Sequence, residues 1–150
     1  MPIHVEVVTQ EKKVFEEPKA DMVLIPASEG EMGVLPHHAP VLTTLGFGEV
    51  VIRKGGAEER FAVYGGVVDV RPDKVVVLAD LAESSFELDM QAIESARERA
   101  ARLLTEGVPP ELNRQAALEL RRAELALKIK SRLQARGAVL RIVDQQENDE

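Results

Sequence analysis

The sequence predicts a β + α chain: an N-terminal antiparallel β-sandwich, barrel-like in form, over residues 1–84, then a C-terminal antiparallel α-helical hairpin over 85–136 and a tail at 137–150. Apolar residues recur in period two before Ser84 and at spacings of three and four after it. Turn residues punctuate the first part at close intervals, the pattern of an all-β sandwich or barrel. A Gly-Val-Pro link then divides two helical stretches closely enough to make them antiparallel neighbours.

The first strand signal is the alternation His4-Val5-Glu6-Val7. Met22-Val23-Leu24-Ile25 and Val75-Val76-Val77-Leu78 are continuous apolar runs, expected to be strands buried on both faces. Gly30-Glu31-Met32-Gly33 is expected to form turns. Alternation resumes around Val50-Val51-Ile52-Arg53 and ends at Lys54-Gly55-Gly56-Ala57, whose glycines supply positive φ for a hairpin. Tyr64-Gly65-Gly66 marks a bend or bulge, and Arg71-Pro72-Asp73-Lys74 places proline where a type I turn wants φ fixed.

Ser84, Ser85 and Asp89 are candidate helix caps, with Glu87 and Asp89 suited to the positive end of the helix dipole. Ile93, Ala96, Ala100, Leu103 and Leu104 form the first apolar stripe, and Gly107 stops the helix. The second helix is expected from about Glu111 to Arg136, before Gly137. It carries two apolar stripes, Ala116-Leu120-Ala123-Leu127 and Leu118-Leu125-Ile129, on nearly opposite sides. Alanine allows close approach but buries little area, so the hairpin should be only modestly stable. In the tail, Ala138 to Val143 suits either a helix or a strand, and Asp144 to Glu150 is expected to be solvated.

Composition excludes several functions. The net charge of −7 argues against a general nucleic-acid or anionic-membrane binder. Aromatic residues are 3% of the chain, too few for base-stacking platforms. There is no cysteine, hence no disulfide or thiolate metal site. No signal peptide is expected from Met1-Pro2-Ile3-His4, and no uncharged apolar run reaches the length of a membrane span, so membrane association would go through a protein partner. The charge is divided: residues 1–84 hold 8 basic and 14 acidic side chains, whereas 111–136 hold 7 basic and 3 acidic. That basic surplus favours an acidic partner surface.

The sequence has no nucleophile elbow, no phosphate-cradling Gly-Lys-Ser/Thr loop and no dinucleotide fingerprint. Adjacent histidines His37-His38, bracketed by Pro36 and Pro40 with Glu29 and Glu31 nearby, are the most enzyme-like feature. Neighbouring residues on extended chain point apart, so solvent- or partner-facing imidazoles are expected there, not a metal or catalytic site.

Residues 28–43 (SEGEMGVLPHHAPVLT), 61–70 (FAVYGGVVDV), Pro72-Asp73-Lys74-Val75, Val77-Leu78-Ala79-Asp80 and 122–127 (RAELAL) resemble, in order, the epsilon subunits of F-type ATP synthases. The resemblance runs to about residue 136. It implies a non-catalytic rotor subunit, with no metal, whose sandwich packs on the gamma subunit and the c-subunit ring. The stretch Glu29 to His38, including Met32, would be a contact loop with Glu31 its main polar contact. The hairpin would leave the sandwich, enter the catalytic alpha/beta hexamer and suppress ATP hydrolysis, with Arg121, Arg122, Lys128 and Arg132 meeting acidic segments. The resemblance also implies peripheral attachment on the cytoplasmic side of the cell membrane, or at the thylakoid for a plastid-encoded chain. Some members bind ATP through a motif at the start of the first helix. Here Leu88-Asp89-Met90-Gln91 matches, but Ala92 replaces its arginine and Ile93 its alanine, so no cofactor is expected. The competing readings are a metal enzyme at His37-His38 and an adaptor whose hairpin binds a coiled coil.

Overall fold

The computed structural model describes residues 2–107, 109–137 and 139–144. The chain divides into two compact units: one runs to Ser84 and resumes at Gly137, and the other spans Ser85–Arg136.

The first unit is one eight-stranded sheet. Its strands are β1 (Ile3–Val8), β2 (Lys13–Ala20), β3 (Met22–Ala27), β4 (Gly30–Val34), β5 (Val41–Lys54), β6 (Ala57–Val70), β7 (Lys74–Ala79) and β8 (Ala82–Ser84). The order is β2-β1-β7-β6-β5-β3-β4, with β8 paired to β6. Phe15 on β2 and Phe61 on β6 are not on neighbouring strands, yet their ring centroids lie 5.3 Å apart. The sheet therefore folds over on itself as a sandwich around Ile3, Val5, Val7, Val23, Ile25, Val50, Ile52, Val75 and Val77, all buried.

One pairing departs from the antiparallel expectation: β1 and β7 run parallel, His4 opposite Lys74 through Val8 opposite Leu78. Strands joined by a tight turn must be antiparallel, but β1 and β7 are separated by most of the sandwich and carry no such constraint. The apolar runs on β3 and β7 are also not buried on both faces. Val23, Ile25, Val75 and Val77 point inward, while Leu24 is half-buried and Leu78 is 47% exposed.

Gly30 to Gly33 lies in β4, not in turns. Its strand pairs with β3 from Gly30 opposite Ala27 to Val34 opposite Val23. The β5–β6 hairpin turns at Gly55-Gly56; only Gly55 takes positive φ, and its N–H donates to Asp21 Oδ2 at 2.6 Å. The Arg71–Lys74 turn closes with Arg71 N donating to Lys74 O at 2.8 Å. At Gly65-Gly66, with φ of 88° and 130°, β6 changes partner from β8 to β7. A side chain on Gly66 would put its Cβ 2.2 Å from Leu78 O, so only glycine lets the strands cross this closely.

The second unit begins with a 3-10 turn at Ser85–Glu87, followed by α1 (Met90–Thr105) and α2 (Pro110–Arg136). Asp89 caps α1 by accepting from Gln91 N at 3.0 Å and Ala92 N at 3.4 Å. Gly107, at φ 69°, follows its end, and α2 starts on proline. The helices pack on each other through small residues: Ala100, Ala116, Ala123 and Ala126 are buried. Of the residues expected in the stripes, Leu103 and Leu118 are exposed, so the second stripe of α2 is covered only from Leu125 onward.

Among the described residues of the tail, 139–144 form neither an extension of α2 nor a regular strand. Arg141 makes an isolated parallel bridge to Glu58, residues 142–144 form a helical turn, and Ile142 is buried. Residues 145–150, expected to be solvated, lie outside the described residues.

Candidate functional site

The expected contact loop from Glu29 to His38 is not one loop. Glu29 and Glu31 are exposed at the turn between β3 and β4, where Ser28 N donates to Thr44 O at 3.0 Å. Glu31 stands opposite Pro26 on β3, and Met32 turns inward onto the core. His37 and His38 follow at the far end of β4, because Gly30 to Val34 is paired strand. His37 is exposed at φ 67°, with its N–H donating to Pro72 O at 2.8 Å. His38 Nδ1 lies 2.7 Å from Ala39 O. The strand thus separates the histidines from the acids proposed to join them in a metal site.

Among the described residues, the side chains close enough to share an ion are His4, Glu6 and Glu16 instead. Ammonium groups already occupy this cluster. Lys13 Nζ lies 2.8 Å from Glu16 and 3.5 Å from Glu6, and Lys74 Nζ is 3.6 Å from Glu6. The hydrogen bond from Lys13, then the one with His4, holds the Glu16 carboxyl below its ordinary range, and the same contact with Glu16 raises Lys13. This is an ion-pair network on the outer face of β1 and β2.

An open cleft of about 430 Å³ is lined in part by Leu42, Asp69, Arg71 and Asp73. Its arginine is paired with Asp69 at 3.3 Å. The cleft gathers charge and apolar surface but no nucleophile–base pair.

On α2, Arg114, Arg121, Lys128 and Arg132 are all exposed. At about 100° per residue they fall within roughly 20° of one line down the helix, about 27 Å long. Arg122 sits about 100° away on the flank and is half-buried. Of the expected set, Arg121, Lys128 and Arg132 thus share a line that Arg122 is off, and Arg114, outside that set, lies on it. Lys130 is spent inside the unit, donating to Phe86 O at 3.0 Å.

Leu88 is buried and Asp89 serves as the α1 cap, so both residues of the partial nucleotide motif have structural roles. Arg97 and Arg99 are exposed, and Arg99 Nε donates to Ser95 O of its own helix.

Sequence reading missed the buried charges. Glu17, at 1% exposure, pairs with Lys54 at 2.7 Å. Arg60 pairs with Glu58 at 2.6 Å and Glu49 at 2.7 Å. Burial works against the Arg60 charge, but these carboxylates raise its pKa above the ordinary value. Glu59, at 0% exposure, holds Arg141 through two bonds of 3.2 and 2.9 Å. The available signals were an acidic pair, Glu58-Glu59, entering an apolar strand, and a lone arginine in an apolar tail.

The ATP synthase delta/epsilon chain beta-sandwich domain family matches residues 2–85. The ATP synthase epsilon chain of Dehalococcoides mccartyi is 43% identical over 128 residues, 85% of this chain and 91% of that protein. The one from Moorella thermoacetica is 42% identical over 139 residues, 91% of this chain and 98% of that protein. Among solved structures, a chain of the Euglena gracilis mitochondrial ATP synthase OSCP/F1/c-ring assembly superposes with a TM-score of 0.74 at 22% identity, covering 85% of this chain and 80% of its own. A chain of the Tetrahymena thermophila central stalk and c-ring superposes at 0.56 with 14% identity, covering 87% and 97%. These two support the fold.

Proposed function

We propose, from the premise that this chain belongs to the family of ATP synthase epsilon chains, that it is a non-catalytic central-stalk subunit joining the gamma subunit to the c-subunit ring. The sandwich is the gripping part. Its core is built from β-branched residues and its internal charges are paired, so it is suited to carrying torque as one body. Glu29 and Glu31 at the β3–β4 turn contact the ring, and His37 and His38 form a second, separate contact. The chain sits peripherally at the cytoplasmic side of the membrane through these partners; among the described residues no helix is long and apolar enough to cross a membrane.

The helical unit is the regulatory part: it docks into the alpha/beta hexamer and suppresses hydrolysis. The aligned basic stripe on α2 carries this reading, since a cationic line about 27 Å long fits an acidic surface and fixes register on it. Replacing Arg121, Lys128 and Arg132 with alanine should raise ATP hydrolysis by the assembled complex several-fold, with gamma binding unchanged. Substituting Arg122 should do less. Equal hydrolysis by the wild-type and stripe-variant complexes would refute the inhibitory role.

A further inference from the structure

We propose that residues 139–144 are a latch that closes the neck of the helical unit and must be released before the end of α2 can move away from that neck. The neck is defined by the chain path. The second unit leaves the sandwich after Ser84 and returns at Gly137. Arg141 joins the two stems although they are 57 residues apart: its Nη2 donates to Ser84 Oγ at 3.4 Å and to Glu59 Oε2 at 2.9 Å, and its Nε donates to Glu59 Oε1 at 3.2 Å.

The surrounding contacts are built for a docked segment. Glu58 N donates to Leu140 O at 2.9 Å, extending the β6 edge by one bridge. Val143 N donates to Glu59 Oε1 at 3.1 Å, so the buried carboxylate accepts from three groups of the tail. Ile142, 1% exposed, belongs to the same apolar core as the strands, and Val143 packs against it.

Geometry gives the latch its consequence. Arg136, the last residue of α2, lies five residues before Arg141, so the intervening chain spans at most about 17 Å. The helix itself is about 40 Å long. While Arg141 and Ile142 stay seated, the end of α2 is confined to that short radius, and drawing it farther from the neck requires the tail to come out. The inference stands whether or not the helical unit inhibits hydrolysis, because it concerns the freedom of the unit in the isolated chain.

The cysteine-free sequence makes a direct test simple. Spin labels placed through Gln10→Cys and Gln134→Cys in the full-length chain report the distance between the β1–β2 loop and the end of α2. With the wild-type tail seated, the distribution should be cut off at long distance by the tether of about 17 Å. Arg141→Ala should raise the long-distance fraction about tenfold or more, since it breaks a buried pair. Ile142→Ala should act in the same direction while leaving the ion pair in place. Amide exchange of β5 and β6 checks that each variant is folded. An unchanged distribution in a folded variant would overturn the proposal. So would loss of the sandwich fold in both variants, which would make the segment a structural cap and not a release point.

Discussion

Gly66→Ala is the sharpest test of how the sandwich is built. At φ 130° the position lies where L side chains are strained, at about 1–3 kcal/mol. The added Cβ would also stand 2.2 Å from Leu78 O and 2.8 Å from Ala79 Cα. Both are backbone atoms of β7, so no flexible side chain can yield, and overpacking of this kind costs about 1–3 kcal/mol more. Reduced freedom of the unfolded chain returns about 0.4–1 kcal/mol. The terms sum to a net loss of about 1–5.5 kcal/mol, centred at about 3 kcal/mol, a large fraction of the 5–15 kcal/mol typical of a folded domain. With a urea slope of about 2 kcal/mol per molar, the central value lowers the unfolding midpoint by about 1.5 M at unchanged slope. Gly55→Ala is the control. It also sits at positive φ, but nothing lies within 4 Å, so about 1–2 kcal/mol is expected from the left-handed backbone alone. Equal shifts for the two variants, or a Gly66→Ala shift below about 0.5 M, would refute the claim that strand crossing makes this glycine obligatory.

Three further outcomes follow from the same structure. Asp89→Ala should destabilise the first turn of α1 by about 1 kcal/mol, seen as faster amide exchange at Gln91 and Ala92; unchanged exchange would mean the cap contributes nothing. Because the Glu16 pKa is depressed, its network stabilises the fold above the ordinary value of 4.5 and that contribution fades as pH falls through the lower folded-state value; the melting-temperature gap between wild type and Glu16→Gln should be present at pH 7 and close on acidification, and a gap constant with pH would contradict this. Calorimetric titration with magnesium-free ATP should give no saturable heat, since Ala92 removes the arginine of the nucleotide motif and Asp89 is engaged as a cap; a stoichiometric isotherm would overturn that assignment.

What the sequence made legible was local. Asp89 as a cap, Gly107 past a helix end and proline at the head of α2 each act through their own few residues, so the α2 boundaries fall within one residue of expectation. The Gly65-Gly66 bend was legible for the same reason. What stayed hidden depends on distant partners. The parallel β1–β7 pairing is set by register between strands far apart in the chain. Gly30 and Gly33 look like turn residues, yet Gly33 sits in β4, where a Cβ would stand 3.2 Å from Met22 Cε, so the small residue makes room for the Met22 side chain. The charges of Glu59 and Arg141 look solvated until the fold brings them together across 82 residues. Alignment of the basic stripe follows from helical period, and Arg114 could have been placed on it from the sequence alone.

The two units differ in what holds them together, and the difference bears on their roles. The sandwich buries Val and Ile from most of its strands, each contributing about 1.5–3 kcal/mol, and its buried carboxylates are compensated by cations. The helical pair buries mostly alanine methyls along its seam, each a fraction of that. A body with low internal cohesion and a surplus of positive charge responds to what surrounds it, whereas a strongly cohesive one transmits force. Along the basic stripe Arg114, Arg121 and Lys128 follow one another at about 10.5 Å, beyond the screening length of about 8 Å at physiological salt, whereas Lys128 and Arg132 are only about 6 Å apart. In the proposed docking, the effects of removing Arg114, Arg121 and Lys128 should therefore add nearly independently and weaken with salt, while Lys128 and Arg132 should couple. Cooperative loss on removing a single cation would instead place the docking energy in the apolar face of α2.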